Sequence, residues 1–161
     1  LVPRETVTLS SSFTGSKAAQ NGLETDREDF IAYRFDFPPM TMTENGDPSE
    51  DYGGQEAFFS GLRTNPTYGR FYGGDDGELI LDTGREDREN LLVIGESYDN
   101  AVAKLLASHF GKTYVVDLRN YETFQKAPFR LGEYLRKNGI TKVLLMGNID
   151  YFVSADFTLE G

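Results

Sequence analysis

Ser97 stands on the turn Gly95-Glu96-Ser97, directly after the aliphatic run Leu91-Leu92-Val93-Ile94. A serine between a buried strand and a helix projects its hydroxyl from the strand's carboxyl end into the positive end of the helix. A nucleophile and a developing oxyanion are both favoured there. Two further segments read as strand ends of the same kind, Asp117-Leu118-Arg119-Asn120-Tyr121 and Gly147-Asn148-Ile149-Asp150-Tyr151. In open α/β sheets ligands gather beyond the carboxyl ends of the strands. One edge would then collect a hydroxyl, a guanidinium, an amide and two phenols. That set suits acyl-ester chemistry, with Ser97 attacking and Asn148 plus the Ser97 backbone N–H stabilising the oxyanion. Plainer readings stand beside it. Ser97 would serve equally as a helix N-cap, Arg119 as a partner for any acid, and Asn148 as a turn residue. The motif is not the Gly-x-Ser-x-Gly elbow, because Asp99 occupies its last place.

A serine nucleophile needs a base, and the sequence holds a single histidine, His109. It falls near the end of the helix expected over Tyr98–Phe110, about 12 residues and roughly 18 Å of helix rise from Ser97. That places it toward the opposite edge of the sheet, where a histidine at a helix C-terminus interacts with the helix dipole.

The elements that must position these residues are legible in the second half. Asn90–Ile94 predicts a buried strand, and Val102, Leu105, Leu106 and Phe110 recur at helical spacing before Gly111. Thr113–Leu118 predicts a second strand. Pro128 opens a helix with Leu131, Tyr134 and Leu135 on one face and Asn138-Gly139 at its end. Thr141–Met146 predicts a third strand. Strand, helix, strand, helix, strand at this spacing implies parallel strands joined by right-handed crossovers. In the first half Glu5–Leu9 and Phe30–Phe37 alternate as strands do, and Pro38-Pro39 ends the second. Thr41–Gly54 reads as a loop. Tyr68–Tyr72 and Glu78–Asp82 read as the arms of a hairpin across Gly73–Gly77. The expectation is one domain over 1–161, irregular and β-rich over 1–90 and a βαβαβ core over 91–161.

Charge is uneven over this frame. The 161 residues carry a formal net charge of −10, and residues 1–90 alone hold 8 Lys/Arg against 18 Asp/Glu. An acidic chain without a basic cluster argues against nucleic acid and against anionic membrane surfaces. No run reaches the roughly 18 apolar residues of a membrane helix, so no membrane insertion by this segment is expected. There are no cysteines, which excludes disulfides and thiolate metal sites. No metal or organic cofactor is implied. Leu1-Val2-Pro3-Arg4 matches the core of a protease site used in expression tags and is equally readable as native.

The order of these pieces resembles SGNH-type hydrolases, in particular the DHHW family and the related alginate O-acetyltransferase proteins. The resemblance is carried by the stretch from Asn90-Leu91-Leu92-Val93-Ile94-Gly95-Glu96-Ser97-Tyr98-Asp99-Asn100-Ala101 to Val115-Val116-Asp117-Leu118-Arg119-Asn120-Tyr121. Phe13-Thr14-Gly15-Ser16 and Arg70-Phe71-Tyr72-Gly73-Gly74-Asp75 add to it. It implies a parallel three-layer, flavodoxin-like α/β sheet with additional N-terminal strands and loops. It also implies Ser97 as nucleophile, with Glu96 where the family usually has aspartate, and Asn148 as oxyanion donor. Arg119 and Tyr121 become substrate contacts. The substrate implied is an acylated carbohydrate or other ester, and the setting extracytoplasmic. The family's catalytic Asp and His lie in an upstream Asp-x-His element that this chain does not contain. The expectation is therefore the carboxyl-terminal part of a larger esterase or O-acyltransferase, inactive without its N-terminal part. A protein that lost the dyad and kept the fold is the other explanation. The rival from a different class is a non-catalytic module binding glycan or protein, supported by Tyr52, Phe58, Phe59, Tyr68, Phe71 and Tyr72 near glycines.

Overall fold

The computed structural model describes residues 1–15, 18, 21–23, 27–50 and 54–153. Ser16, Tyr52 and the end of the expected Thr41–Gly54 loop at 51–53 lie outside the described residues. The chain forms two compact units, Leu1–Asp36 with Asp51–Gly74, and Phe37–Glu50 with Asp75–Gly161.

The first unit contains strands β1 (Glu5–Phe13) and β2 (Glu28–Arg34) and short helices α1 (Gln55–Phe59) and α2 (Tyr68–Tyr72). The strands pair antiparallel, with Glu5 opposite Arg34 and Thr8 opposite Ile31. Alternation along β2 turns Phe30 and Ala32 inward, where they meet Phe58 of α1 and Phe71 of α2. The rings stack edge to face, 4.8 Å for Phe13–Phe30 and 5.3 Å for Phe30–Phe71, a geometry set by the ring quadrupoles. The Tyr68–Tyr72 strand expectation is corrected here: the segment is a helix. Thr67 caps it by accepting from the Arg70 N–H, and burial of Phe71 overrides the β propensity of an aromatic run.

The second unit is a mixed α/β structure. Its elements are β3 (Thr41–Glu44), β4 (Asp47–Ser49), β5 (Glu78–Asp82), β6 (Asn90–Gly95), α3 (Ala103–Ala107), β7 (Lys112–Val116), α4 (Leu118–Gln125), α5 (Leu131–Lys137), β8 (Ile140–Met146) and α6 (Ile149–Val153). Six strands form one sheet in the order β4-β3-β5-β7-β6-β8. The three strands expected to be parallel are so: β6 lies between β7 and β8 and runs with both. The sheet as a whole is mixed, because β5, β3 and β4 join it antiparallel. The expected loop at 41–54 holds the β3–β4 hairpin. Asn45 and Gly46 both have positive φ there, as a two-residue hairpin turn requires. Glu78–Asp82 is a strand as expected, yet it pairs with β3 and β7 rather than with residues 68–72.

Leu92 and Ile94 of β6 pack with Tyr114, Val116 and Tyr134 of α5, while Ala103 and Ala107 bring α3 close over β5 and β7. The Tyr98–Phe110 helix is shorter than expected. Asp99 folds inward, its carbonyl accepting from the Val102 and Ala103 N–H groups, so regular helix begins only at Ala103. At the other end Arg85 donates to the carbonyls of Ser108 and Phe110 and closes the helix early. The strand expected over Thr113–Leu118 stops at Val116, and Asp117 instead caps α4, a helix the strand pattern concealed.

Candidate active-site edge

Ser97 lies on the turn that leaves β6, half-buried, beside a narrow cleft lined by Asp75, Asp76, Glu96, Asp99 and Asp117. Asn148 leaves β8, the strand next to β6, and Arg119 lies in the first turn of α4 beyond β7. Three of the four expected site residues thus share the carboxyl edge of adjacent parallel strands. Tyr121 is engaged elsewhere. Its ring packs 5.1 Å from Phe129 and 6.2 Å from Tyr134, within the apolar cluster on one sheet face.

Glu96 ties the edge together. Its Oε1 accepts from the Asn148 N–H at 2.7 Å, and its Oε2 lies 3.5 Å from the Arg119 guanidinium. This buried carboxylate therefore anchors the Asn148 loop and Arg119 to the turn that carries Ser97. Asn148 uses Oδ1 to accept from the Tyr151 N–H at 3.0 Å and so caps α6. That bond turns its amide NH₂ away from the helix. Tyr151, buried under the same edge, accepts from the Leu118 N–H at 3.3 Å and lies beneath Arg119, 6.0 Å from ring centre to guanidinium. Burial holds its phenol pKa up at about 12, so the phenol stays protonated at neutral pH.

Arg119 is the electrostatic centre. Its Nε donates to both Asp117 oxygens at 2.9 and 3.0 Å, and a terminal nitrogen reaches Asp75 at 3.2 Å. A guanidinium presents its donors in a rigid planar fork, which suits this grip where an ammonium would not. The hydrogen bonds and charge of Asp117, with Asp75 and Glu96 near, raise its pKa above the ordinary guanidinium range. It remains charged throughout.

Asp99 is the group that sequence reasoning missed as part of the site. The residue is 3% exposed, and its Oδ2 is buried without a hydrogen-bond partner. Desolvation, then repulsion by Asp117 and Asp75, raises its carboxyl to about 7 against the pull of Arg119. Gly95 exists to make room for it. A Cβ at that position would lie 2.1 Å from Asp99 Oδ2 and 2.7 Å from the Met146 carbonyl. In the sequence Asp99 only marked a departure from the elbow motif, and nothing local announces a buried acid. Among the described residues no group of His, Asp or Glu side chains is placed to hold a metal ion.

His109 is far from this edge, as expected. It is exposed and follows α3 at the approach to β7, whose amino end lies beside Leu91 of β6. The aromatic residues offered for a binding platform are mostly inside the first unit. Phe58 and Phe71 are buried, and Phe59 and Tyr72 pack against them.

No protein-family model matches the sequence, and no curated protein sequence matches it either. Solved structures do. PatB1 of Bacillus cereus, in a structure with a sulfonyl adduct, superposes with a TM-score of 0.64 at 23% identity, over 87% of this chain and 47% of that one. A second PatB1 structure gives 0.63 at 23% identity, over 83% and 44%. A DHHW family protein from Eubacterium siraeum gives 0.63 at 23% identity, over 93% and 49%. The chain thus spans about half the length of each structure it matches. What it shares with them is the fold, a DHHW- and PatB1-like α/β arrangement whose strand ends carry Ser97, Arg119 and Asn148.

Proposed function

We propose that the carboxyl edge of β7, β6 and β8 is the nucleophile-bearing part of a serine acyl-transfer site of the SGNH type. Ser97 Oγ attacks the carbonyl carbon of an ester, forming the acyl–oxygen bond as its proton passes to a base. The carbonyl π pair moves onto oxygen, where the Asn148 amide and the Ser97 N–H receive it. Collapse expels the alcohol, which recovers the proton, and leaves an acyl-serine for water or an acceptor hydroxyl. The observation that carries this reading is the grip of Glu96 on both the Asn148 N–H and Arg119, one residue from Ser97.

The base belongs to polypeptide outside these 161 residues, since His109 stands at the other edge. Several carboxylates around one guanidinium leave this edge net negative, a field that favours the imidazolium formed when a histidine takes the serine proton. Acylated carbohydrate of the cell envelope is the substrate class this reading names, in an extracytoplasmic setting, with an alginate-type acetyl ester as one member. Both rest on the family resemblance. The glycan- or protein-binding module is the weaker reading, because most of its aromatics are occupied in the first unit's core. The test is labelling by a fluorophosphonate probe. We expect the 161-residue chain to show no steady ester turnover, and the intact gene product to label at Ser97 and lose labelling in Ser97→Ala. Turnover by the 161 residues alone, abolished by Ser97→Ala, would refute the assignment of the base.

A further inference from the structure

Among the described residues β8 ends the six-stranded sheet with β6 as its single neighbour, and its apolar side chains outrun their cover. Val143 stands opposite Leu92 and Leu145 opposite Ile94, so all four share one face. Leu92 and Ile94 are 0% exposed beneath α5, whereas Val143 and Leu145 are 46% and 48% exposed. α6 adds Ile149 and Val153, at 72% and 68%. Parallel strands of α/β sheets are ordinarily covered on both faces. Natural edge strands are blunted by bulges or lysines. Here those guards, a register shift near Thr141 and Lys142, occupy only the amino half of β8. Val143–Met146 has neither.

We propose that Val143–Met146, together with Ile149 and Val153, is a docking edge for one further parallel strand and its covering helix, contributed by the same gene product outside these 161 residues. The size of the structures sharing this fold supports that occupant. Nearly all of this chain, 87% and 93%, superposes on 47% and 49% of the PatB1 and DHHW chains. A fold of this kind therefore carries about as much polypeptide again, and a parallel edge ending in bare aliphatic side chains is where a sheet continues. The inference deepens the acyl-transfer reading and rests on it in one respect. A strand beside β8 would end with its own loop next to Asn148, within reach of the edge that lacks a base.

The test is amide hydrogen exchange on the 161-residue chain and on the intact gene product. The amides of Val143–Met146 are expected to exchange about 100-fold more slowly in the intact protein. Val143→Lys with Leu145→Lys should abolish that protection while leaving the fold of the 161-residue chain unchanged. Equal exchange in both proteins, or a gene product ending at these residues, overturns the proposal. Protection of the 161-residue chain that grows with its concentration identifies a second copy as the occupant and also overturns it. Fluorophosphonate labelling of the same samples separates the two ideas. Slow exchange without labelling keeps the docking edge and sinks the serine reading, whereas labelling without slow exchange does the reverse.

Discussion

The two edges of the parallel strands are both crowded with charge, and they handle it in opposite ways. At the amino edge the charged groups are paired in the open. Lys112 meets Asp82 at 2.8 Å, Lys142 approaches Glu89 at 3.7 Å, and Arg85 closes the carbonyls of Ser108 and Phe110. A wide cleft lies there too, lined by such partnered groups. At the carboxyl edge the buried Glu96 and Asp117 converge with Asp75 on a single guanidinium, and Asp99 is buried beside them with an unpartnered Oδ2. Packing acids out of water around one cation works against stability and persists where function requires it. The contrast, rather than cleft size, is the reason for proposing the carboxyl edge as the site.

The sharpest way to break that contrast is to remove the charge from Asp99. Its pKa rises on folding from the ordinary 3.8 to about 7. The stability it contributes is therefore complete below about pH 4 and is lost as pH rises through 7. The shift corresponds to about 4 kcal/mol, an order-of-magnitude figure. Urea titrations from pH 4 to pH 9 should show Asp99→Asn lacking that decline relative to the parent chain. Parallel profiles for the two proteins would mean Asp99 is not a buried acid.

Removing the central cation should come next in size. Arg119→Met leaves Asp117 and Glu96 buried without a cation and is expected to cost about 2–3 kcal/mol, discounted for the partly open guanidinium. The matching change at the other edge, Arg85→Met, loses hydrogen bonds to two carbonyls and should cost about 1 kcal/mol. Equal losses in urea denaturation at pH 7 would erase the distinction between the edges.

The smallest effect belongs to Asp82. Burial raises its pKa, but the Lys112 hydrogen bond, the Gly84 N–H and the Lys112 charge outweigh that and lower it. Its contribution is present above its unfolded pKa and lost as pH falls, the reverse of Asp99. Because the pair is open to solvent, Asp82→Asn should change stability by about 0.5 kcal/mol or less, and less still in high salt. A large, salt-independent loss would show that the amino edge too holds a strained charge.

Much of this contrast was legible in part from local pattern. The aliphatic runs at Leu91–Ile94 and Tyr114–Val116 announce buried strands, because a parallel strand covered on both faces has no polar alternation, and Val143–Met146 announces a third strand without disclosing that half of it stays exposed. Their spacing fixed the common edge of Ser97, Arg119 and Asn148. The Asn45-Gly46 hairpin and the Asp117 cap also have local signals, a turn dipeptide and an N-cap before Leu118 and Tyr121, which the polar composition around the one and the β-branched run before the other mask. Tyr68–Tyr72 misled because aromatic propensity favours strand until Phe71 finds its partners in β1, β2 and α1.

The sequence by itself determined the three parallel strands, the edge on which Ser97 stands, and the placement of His109 toward the opposite edge. These follow from hydrophobic periodicity and helix rise, which act over a few residues. Only the tertiary structure decided that β5, β3 and β4 turn the sheet mixed, that Tyr121 packs against the core, that Asp75, Glu96 and Asp117 meet around Arg119, and that Asp99 is buried beside them. It alone decided that Val143 and Leu145 stand half exposed. Each of those outcomes depends on which strands become neighbours and how much water their side chains lose, quantities set by contacts between residues tens of positions apart.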